Sequence, residues 1–260
     1  FRSKRLRDRA IHLEEIDQMK TSFFANISHE LNTPVGLIKE PLERLLRNET
    51  DARKEILLDM AMRNAGRIEK LVSQILDFRK LEAEQIKIEL VEGDVAQHVQ
   101  ENIEFLQPLA KRNGVSYQFE CENACSGWYD SDKLTKIVTN LVGNALKYTP
   151  AGGNVVVKLS QVEDADRGRM LSFVVEDTGS GVDPEYLPRI FERFYRIPEK
   201  SIVNGSGIGL NLTKELVDLW GGEIHAESPI HLNPNSPGTR FTLLLPIERS
   251  YISNQAEDVE

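Results

Sequence analysis

The feature that most constrains this chain is a change of hydrophobic rhythm near residue 85. Upstream, residues 1–46 and then Ala52–Ala83 repeat apolar side chains at helical spacing, separated by one polar turn, Arg47-Asn48-Glu49-Thr50-Asp51. Leu13, Ile16, Phe23 and Ile27 mark the first stripe on the alternating steps of a coiled-coil seam, interrupted by Lys20. Ile56, Met60, Ile68, Leu71, Ile75 and Phe78 mark the second. Pro34 and Pro41 each remove a backbone donor, which predicts bends in the first helix. Two antiparallel helices with stripes this wide cannot bury them alone. They predict a hairpin that pairs with a second copy into a four-helix bundle, a homodimer; a bundle closed by the rest of the same chain is the other solution.

Downstream the pattern turns to alternation in Gln85-Ile-Lys-Ile-Glu-Leu-Val-Glu-Gly93, and the closing glycine marks a boundary. Asp94-Val-Ala-Gln97 reads as a capping box opening a helix with Val95, Val99, Ile103 and Leu106 on one face. Short strands follow at Val115–Glu120 and Gly127–Tyr129, and Asp130 or Ser131 caps a helix that runs to about Tyr148. A strand pair at Asn154–Ser160 and Leu171–Glu176, a short helix near Pro184–Phe191, a helix over Ile208–Trp220 and strands at Glu223–Ser228 and Thr239–Leu245 complete the chain. The fold class expected is α+β: a helical hairpin followed by a two-layer α/β sandwich with one sheet covered by helices. The 260 residues divide into a hairpin over 1–84, a linker over 85–93, a second domain over 94–248 and a tail over 249–260.

A formal charge of −9 opposes general nucleic-acid binding, because a phosphate backbone rewards the opposite sign. The basic start, Arg2-Ser-Lys4-Arg5-Leu-Arg7-Asp-Arg9, suits either an anionic membrane surface or a solvated coiled-coil face. No apolar run approaches the length of a spanning helix, so this stretch is expected to be soluble and to make no membrane contact itself. Its opening inside a helical pattern reads as a piece of a longer chain. Cys121 and Cys125 lack histidines at zinc spacing and read as free thiols of a reducing compartment.

Several stretches carry chemistry. In Ser22-Phe-Phe-Ala-Asn-Ile-Ser-His29-Glu30-Leu-Asn-Thr33-Pro34 a histidine lies beside the helical seam with a carboxylate next to it. A neutral imidazole attacks through one nitrogen while its other N–H is held by an acceptor, so His29 and Glu30 suit a nucleophile and base. Asn140 and Asn144 share one face of the helix that follows Asp132, with Leu134, Ile137, Val138 and Leu141 on the buried side. Paired amides suit a surface or a cap equally well, but an amide oxygen is also a ligand for magnesium that borrows further oxygens from phosphates. Lys147 can meet phosphate and Tyr148 can lie against a base.

Asp177-Thr-Gly179-Ser-Gly181 follows a strand; its carboxylate can accept from the exocyclic amine of adenine while the glycines let backbone approach the ring. The same pattern fits an ordinary turn. Ile190-Phe191-Glu-Arg193-Phe194-Tyr-Arg196 offers core aromatics, with Arg193 and Arg196 able to reach phosphate. Gly205-Ser-Gly207-Ile-Gly209-Leu210 opens into a helix, where exposed N–H groups and the dipole favour an anion.

Taken together these stretches resemble sensor histidine kinases. His29-Glu30-Leu-Asn-Thr33-Pro34 is similar to the phosphoacceptor box H-E-L-R-T-P, departing at Asn32. The four downstream stretches resemble, in order, the N, G1, F and G2 boxes of the ATP-binding domain of the GHKL type. The resemblance implies ATP and Mg2+ as cofactors, with Asn144, helped by Asn140, holding the metal. It implies Asp177 on adenine, Gly179 and Gly181 lining the base, and Gly205, Gly207 and Gly209, with Leu210, bordering the phosphates. Arg193 to Ser206 would be a lid, and Thr239 would close the adenine pocket. It further implies autophosphorylation of His29, transfer to an aspartate of a response-regulator receiver domain, and a role for Thr33 in dephosphorylating that regulator. The place expected is the cytoplasmic part of a membrane-bound sensor. Two rivals are a GHKL-type ATPase clamp, which leaves the His29 box unexplained, and a non-catalytic dimeric scaffold, which the intact asparagines and glycines oppose.

Overall fold

In a computed structural model of the chain, the residues described are 27–28, 31–43, 45, 51–83, 86–123, 125–193, 195–197, 207–230 and 236–252. They fall into two compact units, one drawing on Phe1–Gln85 with Glu192–Asn211, the other on Ile86–Phe191 with Leu212–Glu260.

In the first unit, helix α1 (residues 31–43) continues through Pro34 and Pro41. Ile27, Pro34 and Pro41 are buried, and the two prolines, seven residues apart, stand on one stripe of α1. Each ring withholds the donor that the carbonyl four residues earlier would take. The turn expected at 47–51 lies outside the described residues apart from Asp51. Helix α2 (Asp51–Glu82) buries Leu57, Ala61 and Leu71, with Asn64, Ile68 and Ile75 half-buried. These positions step by four and three without interruption. The expected stripe is therefore displaced by one residue in the first half of α2, where Ile56 is 64% exposed and Leu57 is inside.

The second unit opens with β1 (Val91–Asp94), which pairs antiparallel with β3 (Ser126–Tyr129) and so lies against the second unit at the end of the alternating stretch. Helix α3 (Val95–Glu104) is capped by Asp94, whose Oδ1 accepts from the N–H of Gln97 at 3.0 Å. Only half of the capping box forms, because the Gln97 side chain donates to Glu101 and not back to residue 94. Helix α4 (Gln107–Asn113) was not expected. Pro108 in its first turn and Gly114 at φ 65° after it are the ordinary start and stop signals, but seven residues are too few to show a periodicity.

Helix α5 (Ser131–Tyr148) is capped by Asp130 and buries Leu134, Ile137, Val138, Leu141 and Val142. It packs on β4 (Asn154–Asp164) and β5 (Gly168–Asp177). With β2 (Ser116–Cys121), β6 (Glu223–Glu227) and β7 (Thr239–Pro246) these strands form one sheet in the order β2-β4-β5-β7-β6, in which only β2 and β4 run parallel. Register aligns Val157 with Val175, Phe173 with Leu243 and Leu171 with Leu245, so one face is continuously apolar and the helices cover it. Each such side chain removed from water contributes about 1.5–3 kcal/mol. Helix α6 (Gly209–Leu219) adds Leu216 and Val217, with Trp220 just past its end.

The β4–β5 hairpin is longer than expected because its charged outer ends still pair, down to Asp164 against Gly168. Asp164 closes the turn by accepting from the N–H groups of Asp166 and Arg167, and its hydrogen bond to the Arg167 guanidinium helps hold its carboxyl down to about 2. The helix expected near Pro184–Phe191 is instead a single 3₁₀ turn, Leu187–Arg189. Pro188 lacks the N–H that an α-helix would bond to the carbonyl of Pro184. Beyond β7, Ile247 and Ile252 are buried, and Arg249 stacks 4.6 Å from the centre of the Trp128 ring.

Candidate functional site

The best-defined part of the site is the loop that leaves β5. Asp177 ends that strand and is 5% exposed. Its Oδ1 accepts from the N–H of Gly179 at 2.8 Å and from the N–H of Thr239, its cross-strand partner on β7, at 3.2 Å. Two main-chain donors on one oxygen orient the carboxylate through backbone geometry.

The loop is then strapped down from several directions. Thr178 Oγ1 accepts from the N–H of Asn154, and its carbonyl accepts from Ser236 Oγ at 2.8 Å. Gly238 N donates to Gly179 O at 3.1 Å. Ser228 Oγ donates to Gly238 O and accepts from the N–H of Val182.

The glycines in this loop are required by space. A Cβ on Gly179 would stand 2.6 Å from Tyr148 O and 2.7 Å from Asp177 Oδ1. On Gly181, at φ 61°, it would meet Pro237 Cγ at 2.7 Å and Ser228 Oγ at 2.9 Å. Tyr148, at the C-terminal end of α5, is therefore brought against the Asp177 loop, and Ser180 N reaches its carbonyl at 3.4 Å. Lys147 Nζ lies 3.4 Å from Tyr148 OH and 4.9 Å from its ring centre, so the cation and the ring hold each other. Asp177, Gly179, Gly181, Lys147, Tyr148 and Thr239 thus converge in the second unit.

Asn140 and Asn144 lie on α5, four residues apart. Asn140 Nδ2 donates to Thr213 Oγ1 at 2.8 Å, and Thr213 on α6 is 1% exposed. That bond commits the amine and leaves the oxygen end of Asn140 as its acceptor. Asn144 is half-buried, and its side chain has no hydrogen bond among the described residues. No cluster of three acidic, histidine or cysteine side chains suited to a metal occurs among the described residues. The donor set at α5 is accordingly one of neutral amide oxygens, which fits a hard cation that keeps waters and takes its anionic ligands from phosphate.

Beside the site, Glu176 bonds Arg240 at 2.7 Å and Lys158 at 3.3 Å. Burial raises its carboxyl, but the bonds to those two cations outweigh it and hold the group below the ordinary value.

Among the remaining expected residues, Thr33 is exposed on α1, while His29, Glu30 and Gly205 lie outside the described residues. Arg193 and Arg196 are described within the first unit; most of the expected lid lies outside the described residues. Gly207 has φ 68°, and Gly209 and Leu210 form the first turn of α6. Thr213, Ser228 and Ser236 were missed by sequence reasoning. Each acts on a residue 46 to 73 positions away, and no local motif carries that signal.

Comparison with known proteins agrees with this layout. Residues 129–249 match the family described as Histidine kinase-, DNA gyrase B-, and HSP90-like ATPase, and residues 19–84 match the His Kinase A (phospho-acceptor) domain. Histidine kinase P4 of Formosa agariphila is 33% identical over 248 residues, which is 93% of this chain and 17% of that protein. The chain therefore spans about a sixth of that curated relative. Full-length ShkA in complex with AMPPNP superposes with a TM-score of 0.61 at 25% identity, over 88% of this chain and 45% of that one. ThkA in complex with the response regulator TrrA shares the fold, with a TM-score of 0.61 at 19% identity over 93% of this chain and 64% of that one.

Proposed function

The chain belongs to the histidine kinases, and from that premise we propose that it moves the γ-phosphoryl group of ATP to a ring nitrogen of His29 and on to a response-regulator aspartate. The observation that carries the reading is the presence in one chain of a phosphoacceptor match around His29 and an ATPase match whose Asp177 is gripped by two backbone N–H groups. Neither a nucleotide clamp nor a scaffold accounts for both.

In this mechanism Asp177 accepts from the exocyclic amine of adenine, and the backbone at Gly179 and Gly181 lies along the ring. Tyr148 lies against the base and Thr239 closes its edge. Lys147, Arg193 and Arg196 meet phosphate, and the main chain of Gly205, Gly207, Gly209 and Leu210 borders it. Glu30 holds the imidazole of His29 and takes its proton as the other nitrogen attacks phosphorus. The bond to the bridging oxygen then breaks and ADP leaves. Magnesium, when held through Asn144 and Asn140, offsets charge on the phosphates. Catalysis of this kind comes mostly from positioning and charge neutralisation.

The helical hairpin is assigned to a homodimer. Val35, Leu42, Ile56, Met62, Val72 and Leu76 are exposed on α1 and α2 of a single protomer, apolar surface that a second hairpin would cover. A receiver domain such as the regulator bound to ThkA is the proposed acceptor, and Thr33 would orient the water that hydrolyses the regulator's aspartyl phosphate to release inorganic phosphate. No helix among the described residues is long and apolar enough to cross a membrane. A cytoplasmic location, attached to a sensor that spans the membrane, is part of the same proposal.

The test is incubation with γ-labelled ATP and magnesium. Label that is stable in base, labile in acid and absent from His29→Gln supports the kinase. Nucleotide turnover without label supports the clamp, and neither supports the scaffold. Asn144→Ala should abolish labelling while the protein stays dimeric; normal labelling would remove Asn144 from the metal site.

A further inference from the structure

Asp130 does more than cap a helix. It is 2% exposed, and its two carboxylate oxygens take three donors from two parts of the second unit. Oδ1 accepts from the N–H of Lys133 at 3.0 Å, the ordinary capping bond of α5. Oδ2 accepts from Lys133 Nζ at 2.6 Å and from the backbone N–H of Glu89 at 2.7 Å. The last of these reaches into the stretch that runs from the helical hairpin to the sandwich.

Its place in the ladder gives that bond its meaning. The β1–β3 pairing ends at Val91 opposite Tyr129. The following rung would need backbone from residue 130, but there the chain turns into α5. Asp130 supplies a side-chain oxygen where the strand has stopped supplying carbonyls, so the connecting stretch stays attached two residues beyond the ladder. Glu89 itself is exposed, and only its main chain takes part.

We propose that Asp130 is a positioning residue that latches the connecting stretch at Glu89 to the N-terminus of α5, the helix that carries Asn140 and Asn144. The inference rests on the kinase reading above for its effect on rate, although the latch itself does not. Asn140 and Asn144 ride the same helix about 15 and 21 Å further along its axis, at 1.5 Å per residue. A shift of the connecting stretch is passed to that helix through a buried charge-assisted bond, and it alters the alignment needed for transfer before it alters the grip on adenine, which Asp177 holds from β5. Breaking the latch therefore lowers the rate of phosphoryl transfer at unchanged nucleotide affinity.

Glu89→Pro removes the one N–H and leaves α5 untouched; proline tolerates an extended edge segment. Glu89→Ala keeps the N–H and removes only the exposed side chain. Asp130→Asn keeps a capping oxygen but turns an amine toward the Glu89 N–H. In the full chain, autophosphorylation kcat should fall at least 10-fold in Glu89→Pro and Asp130→Asn and stay within twofold in Glu89→Ala. The Kd for a fluorescent ATP analogue should stay within twofold in all three.

A Glu89→Pro chain as fast as wild type overturns the proposal. So does an equal loss in Glu89→Ala, or a Kd that rises in step with the fall in kcat. Amide hydrogen exchange tests the latch without reference to activity: the Glu89 amide should be protected in wild type and exchange at least 10-fold faster in Asp130→Asn. An unprotected Glu89 amide in wild type refutes it. A wild-type chain that binds nucleotide but never labels refutes the kinase reading, while the exchange result still decides the latch.

Discussion

Gly179→Ala adds a single methyl group at a closely packed point of the site. The new Cβ would stand 2.6 Å from Tyr148 O, 3.1 Å from Tyr148 C and 2.7 Å from Asp177 Oδ1. A comfortable carbon–oxygen contact is about 3.3 Å, so one side must give by about 0.6–0.7 Å. Neither neighbour is a flexible side-chain end. Tyr148 O belongs to the last turn of α5, and Asp177 Oδ1 is pinned by the N–H groups of Gly179 and Thr239 at 2.8 and 3.2 Å. Displacing the loop by that amount carries both bonds to the limit of hydrogen bonding or beyond.

Overpacking of this kind costs about 1–3 kcal/mol of stability. Loss of the bonds that orient a carboxylate costs about 1.5–3 kcal/mol wherever that carboxylate is used. At about 1.4 kcal/mol per decade the second effect weakens nucleotide binding about 10- to 100-fold. Urea denaturation and fluorescence anisotropy of a labelled ATP analogue read the two quantities separately. Gly143→Ala is the control, because a Cβ at that position of α5 meets nothing within 4 Å. Relieved of helix-interior glycine, that variant should gain about 0.5–1 kcal/mol. If Gly179→Ala matches wild type in both midpoint and Kd, the loop is not held as described and the spatial argument for the glycine fails.

Thr213→Val removes the acceptor from Asn140 Nδ2 and should cost about 1–3 kcal/mol in chemical denaturation, whereas Thr213→Ser, which keeps the hydroxyl, should recover most of it. Glu176 has a folded-state carboxyl held below its ordinary 4.5, so its ion pairs contribute stability above that value and lose it as pH falls through the lower, folded one. Glu176→Gln should therefore flatten the acid limb of a stability-versus-pH curve below about 4.5, and an unchanged slope there would contradict the assignment. Burial, followed by the neighbouring Cys121 and Asp94, pushes the Cys125 thiol up to about 11, while Cys121 is exposed. A thiol reagent at pH 8 should titrate one cysteine quickly and the second only on unfolding; two equally fast thiols would show that Cys125 is accessible.

Much of the fold was legible because its causes are local. The change from helical spacing to alternation near residue 85, the cap at Asp130 and the apolar face of α5 all act within a few residues of themselves. Elements whose evidence was short or one-sided were not legible. Helix α4 spans only two turns, and Pro188 allows Leu187–Arg189 no more than a 3₁₀ turn. The buried stripe of α2 is shifted by one position because neighbouring apolar residues, Ile56 and Leu57, compete for the inside, and composition does not choose between them.

By itself, then, the sequence determined the kinds of element, their order and the residue types offered to chemistry, since periodicity and turn preference are properties of adjacent residues. Tertiary structure alone decided what those residues bond to across the chain: that Asn140 donates to Thr213, that Asp177 also accepts from Thr239, and that Asp130 reaches Glu89. The physical reason is that a hydrogen bond between groups 41 to 73 residues apart leaves no periodic trace along the chain and exists only once the strands and helices have packed.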